Sequence, residues 1–270
     1  MTSAHVSGAQ PRTLGVLPAM VGAEVLKLRK RRGLVLSTLV LTVVPMIIAY
    51  TVLLILQAAD AAKHGPAGGL ENFSGSMDLL SQLGVVAAIL VGSTLGAGDL
   101  GSGVFRELVV TGRSRLALFA ARVPAGLGLV FAVVGAAFAV TATASTVFAG
   151  SSEVPGAGLL VSSAAWLGLV TGLALVLALG VSSALGSRGT TIGILLGWQL
   201  IAMPLLLQIG ALGSLRVGLL EAATERLEPA RLFEGAATVP MSLAAAVAVI
   251  AAWTVIPLAV GAWRTCTRDA

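Results

Sequence analysis

DLGSGVFRELVVTGRSRLALFAAR, Asp99 to Arg122, is a short charged stretch between two runs so apolar that only a lipid bilayer suits them. Read as a helix, it opens on an acid, Asp99, which complements the positive end of a helix dipole. Phe105, Leu108 and Val109 then fall on one side and Arg106 on another. Gly112 can end that piece, and Ser114 can cap a new helix starting at Arg115. The stretch therefore reads as two helical pieces joined by a sharp break, an elbow between two spans. An ordinary basic loop, placed there only by the rule that keeps Lys and Arg on the cytoplasmic side, has the same composition.

Outward from the elbow, the composition is that of a bilayer protein. Hydrophobic residues make up 57% of the chain and charged ones 11%, with a mean hydropathy of +0.98. A soluble domain carries roughly 25% charged residues to keep its surface wet. The pI near 10.3 does not indicate nucleic acid, because the basic residues sit at the ends of apolar runs rather than in a groove-like array with interleaved aromatics. Cys266 is the single cysteine, so an intrachain disulfide and a cysteine metal cluster are both excluded.

Six apolar runs can be placed, and the expected fold is an all-α polytopic membrane protein with six transmembrane helices. Residues 1–33 form a polar tail ending in a basic helix, Ala19 to Arg32, with Val21, Val25 and Leu28 on one side. Its charged residues Glu24, Lys27, Arg29 and Arg31 suit a helix lying at the membrane surface among lipid headgroups. The membrane domain, residues 34–263, follows. Span one is Leu34 to Leu56, too long for the apolar core of a cleavable signal. Residues 57–78 read as a polar loop, span two as Leu79 to Ala97, and span three as about Val123 to Ala144. Span four covers about Leu159 to Leu185 and span five Thr191 to Ile209, joined by the turn Gly186-Ser187-Arg188-Gly189. Residues 210–238 mix arginines and glutamates with recurring leucines, as interfacial or partly re-entrant helices do. Span six is about Val239 to Trp263, and 264–270 form a tail.

Orientation follows from charge. With the N-terminus inside, Lys63, Arg216, Arg226 and Arg231 fall outside and the other thirteen of the 17 Lys and Arg fall inside. Both termini are therefore expected in the cytoplasm.

Within the spans Arg122 is the one ionisable side chain, near enough to the end of span three to snorkel to the interface. Coupling-ion carriers place acids, His or Arg near the midplane, which argues against a self-powered carrier. His5 and His64 lie outside the spans, so no Ser–His pair forms there, and no Gly-rich loop ends in Lys-Ser or Lys-Thr to hold ATP. No catalytic residue, metal site or cofactor of its own is expected. Gln82, Thr94 and Gln199 are the side chains that can line a polar passage or bond between helices. Gly168/Gly172 and Gly193/Gly197 have the spacing of close helix contacts, a spacing that 33 glycines also produce by chance.

Two stretches carry a family resemblance. Ala23-Glu24-Val25-Leu26-Lys27-Leu28-Arg29 is similar to the N-terminal interfacial helix of ABC-2 type transporter permeases, the membrane subunits of ABC exporters. The elbow resembles their coupling helix, with Asp99 for the acid, Gly103 for the glycine, Leu108 for the Leu-rich turn, Ser114-Arg115 for the Ser-Arg pair and Arg122 for the later basic residue. Val104 stands in the family's threonine place and Gly112 in its proline place.

The resemblance implies a type V exporter-like membrane domain in a bacterial plasma membrane, with a cytoplasmic coupling helix over about 99–113 and an extracellular helical segment over about 210–238. It implies two permease subunits, identical or related, each docking an ABC ATPase subunit that carries ATP and Mg. Asp99, Phe105, Arg106, Glu107, Leu108, Arg113 and Arg115 would then contact the ATPase, apolar residues docking and charges orienting. The cargo would be amphiphilic, lipid-like or drug-like. An ATPase-independent carrier or channel, using Gln82, Thr94 or Gln199, is the alternative, as is a non-transporting assembly or sensor subunit.

Overall fold

The structure, a computed structural model, describes residues 16–101, 114–230, 232 and 239–267. Among them every regular element is a helix, and six helices are long and apolar enough to cross a bilayer. It is a multi-pass membrane protein. Helix α1 (Val16–Lys30) precedes the first membrane helix, α2 (Arg32–Ala59), and a single turn, α3 (Ala61–His64), follows it. Then come α4 (Leu70–Gly101), α5 (Arg115–Val147) and α6 (Ala157–Leu185). The fifth membrane helix runs Arg188–Gln208 in two parts, α7 (Arg188–Gly197) and α8 (Met203–Gln208). A short α9 (Leu220–Glu225) leads to the last, α10 (Leu243–Thr267).

Helices α4 and α6 form the centre, and small residues bring them together. A Cβ on Gly92 would lie 2.4 Å from the Leu175 carbonyl oxygen, and one on Gly96 would lie 2.6 Å from that of Leu179. At that distance side-chain hydroxyls reach the neighbouring backbone. Ser182 Oγ donates to the Ser93 carbonyl at 2.8 Å, and Ser183 Oγ to the Gly96 carbonyl at 3.4 Å. Leu175 and Leu179 are fully buried beside this seam, with Val91 and Leu95 across it. A second close approach joins α6 to α10, where a Cβ on Gly180 would stand 2.4 Å from the Pro257 carbonyl oxygen.

The glycine pairs singled out by spacing are not these. A Cβ on Gly193 or Gly197 would meet no other part of the chain within 4 Å, and one on Gly168 or Gly172 would meet only Phe131 and Leu127 at ordinary contact distances. Around the centre, α2, the fifth membrane helix and α10 present apolar faces outward, among them Leu36, Ile47, Ile194, Ile201, Val255 and Ile256, as a lipid-facing surface should. Prolines interrupt four of the spans, at Pro45, Pro124, Pro204 and Pro257.

Two boundaries differ from the hydropathy reading. Helix α4 begins at Leu70, nine residues before span two was expected, so the loop read over 57–78 is partly helix. Phe73, Met77 and Leu80 form a buried stripe on this extension while Glu71 and Asp78 face out, an amphipathic pattern that averaging over a window conceals. The start is fixed by backbone bonds from Gly69 N–H to the Ser145 carbonyl and from Leu70 N–H to that of Glu153, both 2.8 Å. Gly69 has φ +93°, which only glycine adopts easily. Helix α10 begins at Leu243 rather than Val239, with Ser242 Oγ accepting from Ala245 N–H at 3.2 Å.

The turn over 186–189 is as tight as its residues require. Gly186 closes α6 in the left-handed region at φ +73°, and Ser187 caps α7, accepting from Thr190 N–H. Between α7 and α8 the helix widens by one residue. Met203 N–H donates to the Trp198 carbonyl five residues back, and Trp198–Ala202 form a π turn. Pro204 accounts for the distortion, because it has no N–H and its ring crowds the preceding carbonyls.

At the end of the bundle away from α1, residues 210–230 fold back as a cap. Gly210–Gly218 is 3₁₀ helix broken at Gly213, and α9 follows. Two indoles hold it, Trp253 Nε1 donating to the Gly218 carbonyl at 3.0 Å and Trp166 Nε1 to the Thr224 carbonyl at 3.1 Å. Trp253 lies ten residues into α10, about 15 Å of helical rise, so the cap enters the bundle instead of resting on it. Leu232 is fully buried in the main core, and its carbonyl accepts from Ser74 Oγ of α4.

Gly96→Val should lower the stability of the purified chain by about 1–3 kcal/mol, since a side chain there meets the α6 backbone at Leu179 and Ser183. Gly193→Ala, in open space on a helix, should leave it unchanged or slightly raised. Unfolding midpoints in detergent, followed by far-UV circular dichroism, compare the two.

Candidate functional site

The elbow is held at both ends by helices that carry the core. Helix α4 remains helical to Gly101, so Asp99 sits in its last turn, not at the start of a new helix as the acid suggested. The last turn is the negative end of the helix dipole, the less favourable position for an acid. Phe105, Arg106, Glu107, Leu108 and Arg113, and the side chain of Asp99, lie outside the described residues. On the far side Ser114 caps α5, its Oγ accepting from Ala117 N–H at 3.3 Å, and the helix begins at Arg115 as its sequence implies.

Three other segments converge on this corner. Met20 of α1 packs on Leu118 and Ala121 of α5, with Val21 and Ala117 beside them. The buried stripe of α1 is Met20, Glu24 and Leu28, spaced by four, so the face assigned to Val21, Val25 and Leu28 is turned by about one residue. Val25 is exposed, because α1 buries its inner stripe against α5. Glu24 is buried and accepts from Lys27 Nζ at 2.8 Å, while Arg29 is exposed. The Arg31 guanidinium lies over Gly98 of α4, where a Cβ would stand 2.9 Å from its Nη1. The last turn of α10 joins through Arg115 Nη1, which donates to the Cys266 carbonyl at 3.2 Å. The corner thus gathers α1, the end of α4, the start of α5 and the end of α10.

Arg122 belongs to this corner and does not snorkel. It is 2% exposed, the largest fully buried side chain among the described residues. It falls on the buried face marked by Leu118, Ala121 and Ala125. That spacing of four, one and three could have been read from the sequence and places the guanidinium within protein rather than at a headgroup. Gly98 and Cys266 carried no signal, since a glycine that accepts a guanidinium from another helix looks like any other.

The polar pathway candidates are not brought together. Gln82 is exposed on α4, and Thr94, twelve residues or about 18 Å further along, is buried with its hydroxyl donating to the Leu90 carbonyl of its own helix. Gln199 lies half-buried in the π turn. Between α5 and α6 there is instead an apolar cavity of about 600 Å³, lined by Leu127, Phe131, Phe138, Gly168, Gly172 and others. Gly168 and Gly172 form part of this hollow rather than a close helix contact. Thr171, its polar side chain, donates to the Leu167 carbonyl.

No protein-family model matches the chain, and no curated protein matches it either.

Arg122→Ala should lower the unfolding midpoint by the equivalent of about 2–5 kcal/mol, as expected for emptying a large buried site. Arg115→Ala, which loses the bond to the Cys266 carbonyl near the surface, should cost about 1 kcal/mol. Thermal unfolding of both variants in the same lipid–detergent mixture gives the ratio.

Proposed function

We propose that this chain is the membrane subunit of an ATP-driven ABC-2 type transporter, exporting an amphiphilic, lipid-like or drug-like molecule. The observation that carries the reading is the elbow between α4 and α5, whose residues resemble a coupling helix and whose two ends continue into the packed centre of the bundle. In this reading the corner faces the cytoplasm, in keeping with the thirteen Lys and Arg on that side. The membrane is the bacterial plasma membrane, and the cap faces outward. A separate ATPase supplies ATP hydrolysis and grips Asp99, Phe105, Arg106, Glu107, Leu108, Arg113 and Arg115.

The physical sequence is short. Closure of two ATPases around ATP displaces the elbow of each permease subunit. Helix α4 carries the displacement into α6 through the glycine–serine seam, where backbones in contact leave little slack. Helix α5 carries it toward the apolar cavity, whose lining suits an acyl chain or a drug-sized apolar ligand. The chain itself performs no covalent chemistry.

Purification in mild detergent should recover a stoichiometric nucleotide-binding partner with the chain. In the reconstituted complex, Leu108→Asp or Phe105→Asp should lower ATP-dependent transport at least about tenfold, the loss of roughly 1.4 kcal/mol of coupling. Membrane insertion should be unchanged. Wild-type transport by both variants, or flux through the isolated subunit in vesicles without ATPase, would overturn the proposal.

A further inference from the structure

The cap carries its acids against the bundle, not away from it. Glu221 and Glu225 lie on α9, and Glu228 follows in the turn leading to Leu232. On α4 the exposed Asp78, four residues after Ser74, whose hydroxyl bonds the Leu232 carbonyl, lies close enough to Glu228 for its charge to act there. Glu153, in the turn between α5 and α6, borders a cavity of about 410 Å³ shared with Pro229 and Ala230 of the cap. The cap's described arginines donate to main chain, Arg216 Nη1 to the Leu207 carbonyl at 2.9 Å and Arg226 Nε to that of Met241 at 3.1 Å. Over the parts that hold the cap, α6 and α10 as far as Trp263 contribute no ionisable side chain. Arg231 and Glu234 lie outside the described residues.

We propose that residues 218–230 form a proton-operated latch, docked on the bundle while Glu221 and Glu228 hold protons and loosened as they ionise. Docking brings like charges together and removes water from them, and both effects favour the neutral acids. Burial, then the neighbouring Glu225, raises Glu221 from 4.5 to about 7. Burial, then Glu225 and Asp78, raises Glu228 to about 7 as well. In a loosened cap the same carboxyls return toward 4.5. Docking is therefore strongest below 4.5 and is lost as the pH rises through about 7. Gly213, left-handed at φ +50° with nothing within 4 Å, is the joint on which the segment turns. The indole bonds from Trp166 and Trp253 are the contacts that loosening would weaken.

The test uses the full chain in nanodiscs with Cys266→Ser, and spin labels on Gly75→Cys of α4 and Ala230→Cys of the cap, both exposed positions. Pulsed electron resonance then reads their separation between about pH 5 and about pH 8.5. The share of the docked distance should fall about threefold or more across that interval, with its midpoint near neutrality. Glu221→Gln with Glu228→Gln should keep the cap docked at every pH. Asp78→Asn, which removes one facing charge and serves if the double variant does not insert, should shift the midpoint to higher pH. A distance distribution unchanged across the range would overturn the latch, as would a transition that survives in the double variant or does not move in Asp78→Asn. The labels report only the cap, so the result is independent of the transport reading.

Discussion

The fold depends on two helices approaching until backbone meets backbone. In a bilayer the outer faces of helices gain nothing by leaving lipid, so association rests on dispersion contacts and hydrogen bonds between surfaces that fit. Gly92 and Gly96 supply such a surface on α4, and Ser182 and Ser183 on α6 turn proximity into bonds with the opposite main chain. These bonds engage carbonyls already used within α4, so they add affinity without leaving a helical bond open. The remaining helices are arranged around this pair. Helix α10 leans on α6 through Gly180 and Pro257, and α5 closes on α4 through the buried Val130 and Val134.

Hydropathy made the six crossings legible, because lipid demands about twenty apolar residues in succession and few other structures have them. Local chemistry made the joints legible too: Ser114 before Arg115, and Gly186 with Ser187, act through bonds within a few residues of themselves. What escaped reading depends on partners distant in sequence. Gly92 and Gly193 are the same residue in similar apolar surroundings, yet one lies against Leu175 and the other in open space. The extension of α4 from Leu70 was hidden by its amphipathic pattern, whose buried stripe matters only once the cap and α5 are present. The turned face of α1 has a similar origin. Its apolar residues surround the helix, so only packing on α5 selects Met20, Glu24 and Leu28.

The two ends of the bundle are built on different physics. At the elbow, arginines approach a glycine, a carbonyl and a closed interior, and cations occupy places where helices end and carbonyls are available. At the cap, carboxylates gather where the surrounding helices are apolar, and the arginines nearby are engaged with main chain. The molecule is thus polarised along its axis, with basic groups concentrated at one end and acids at the other.

Pro124 gives the elbow end a mechanical character of its own. It has no N–H, so the α5 carbonyl one turn earlier lacks its usual donor, and the rod is softest just beyond Arg122. The two turns of α5 before that point are tied to the interior by Phe119 and Arg122, so bending at the proline and packing at those side chains share any load borne by this end of the helix.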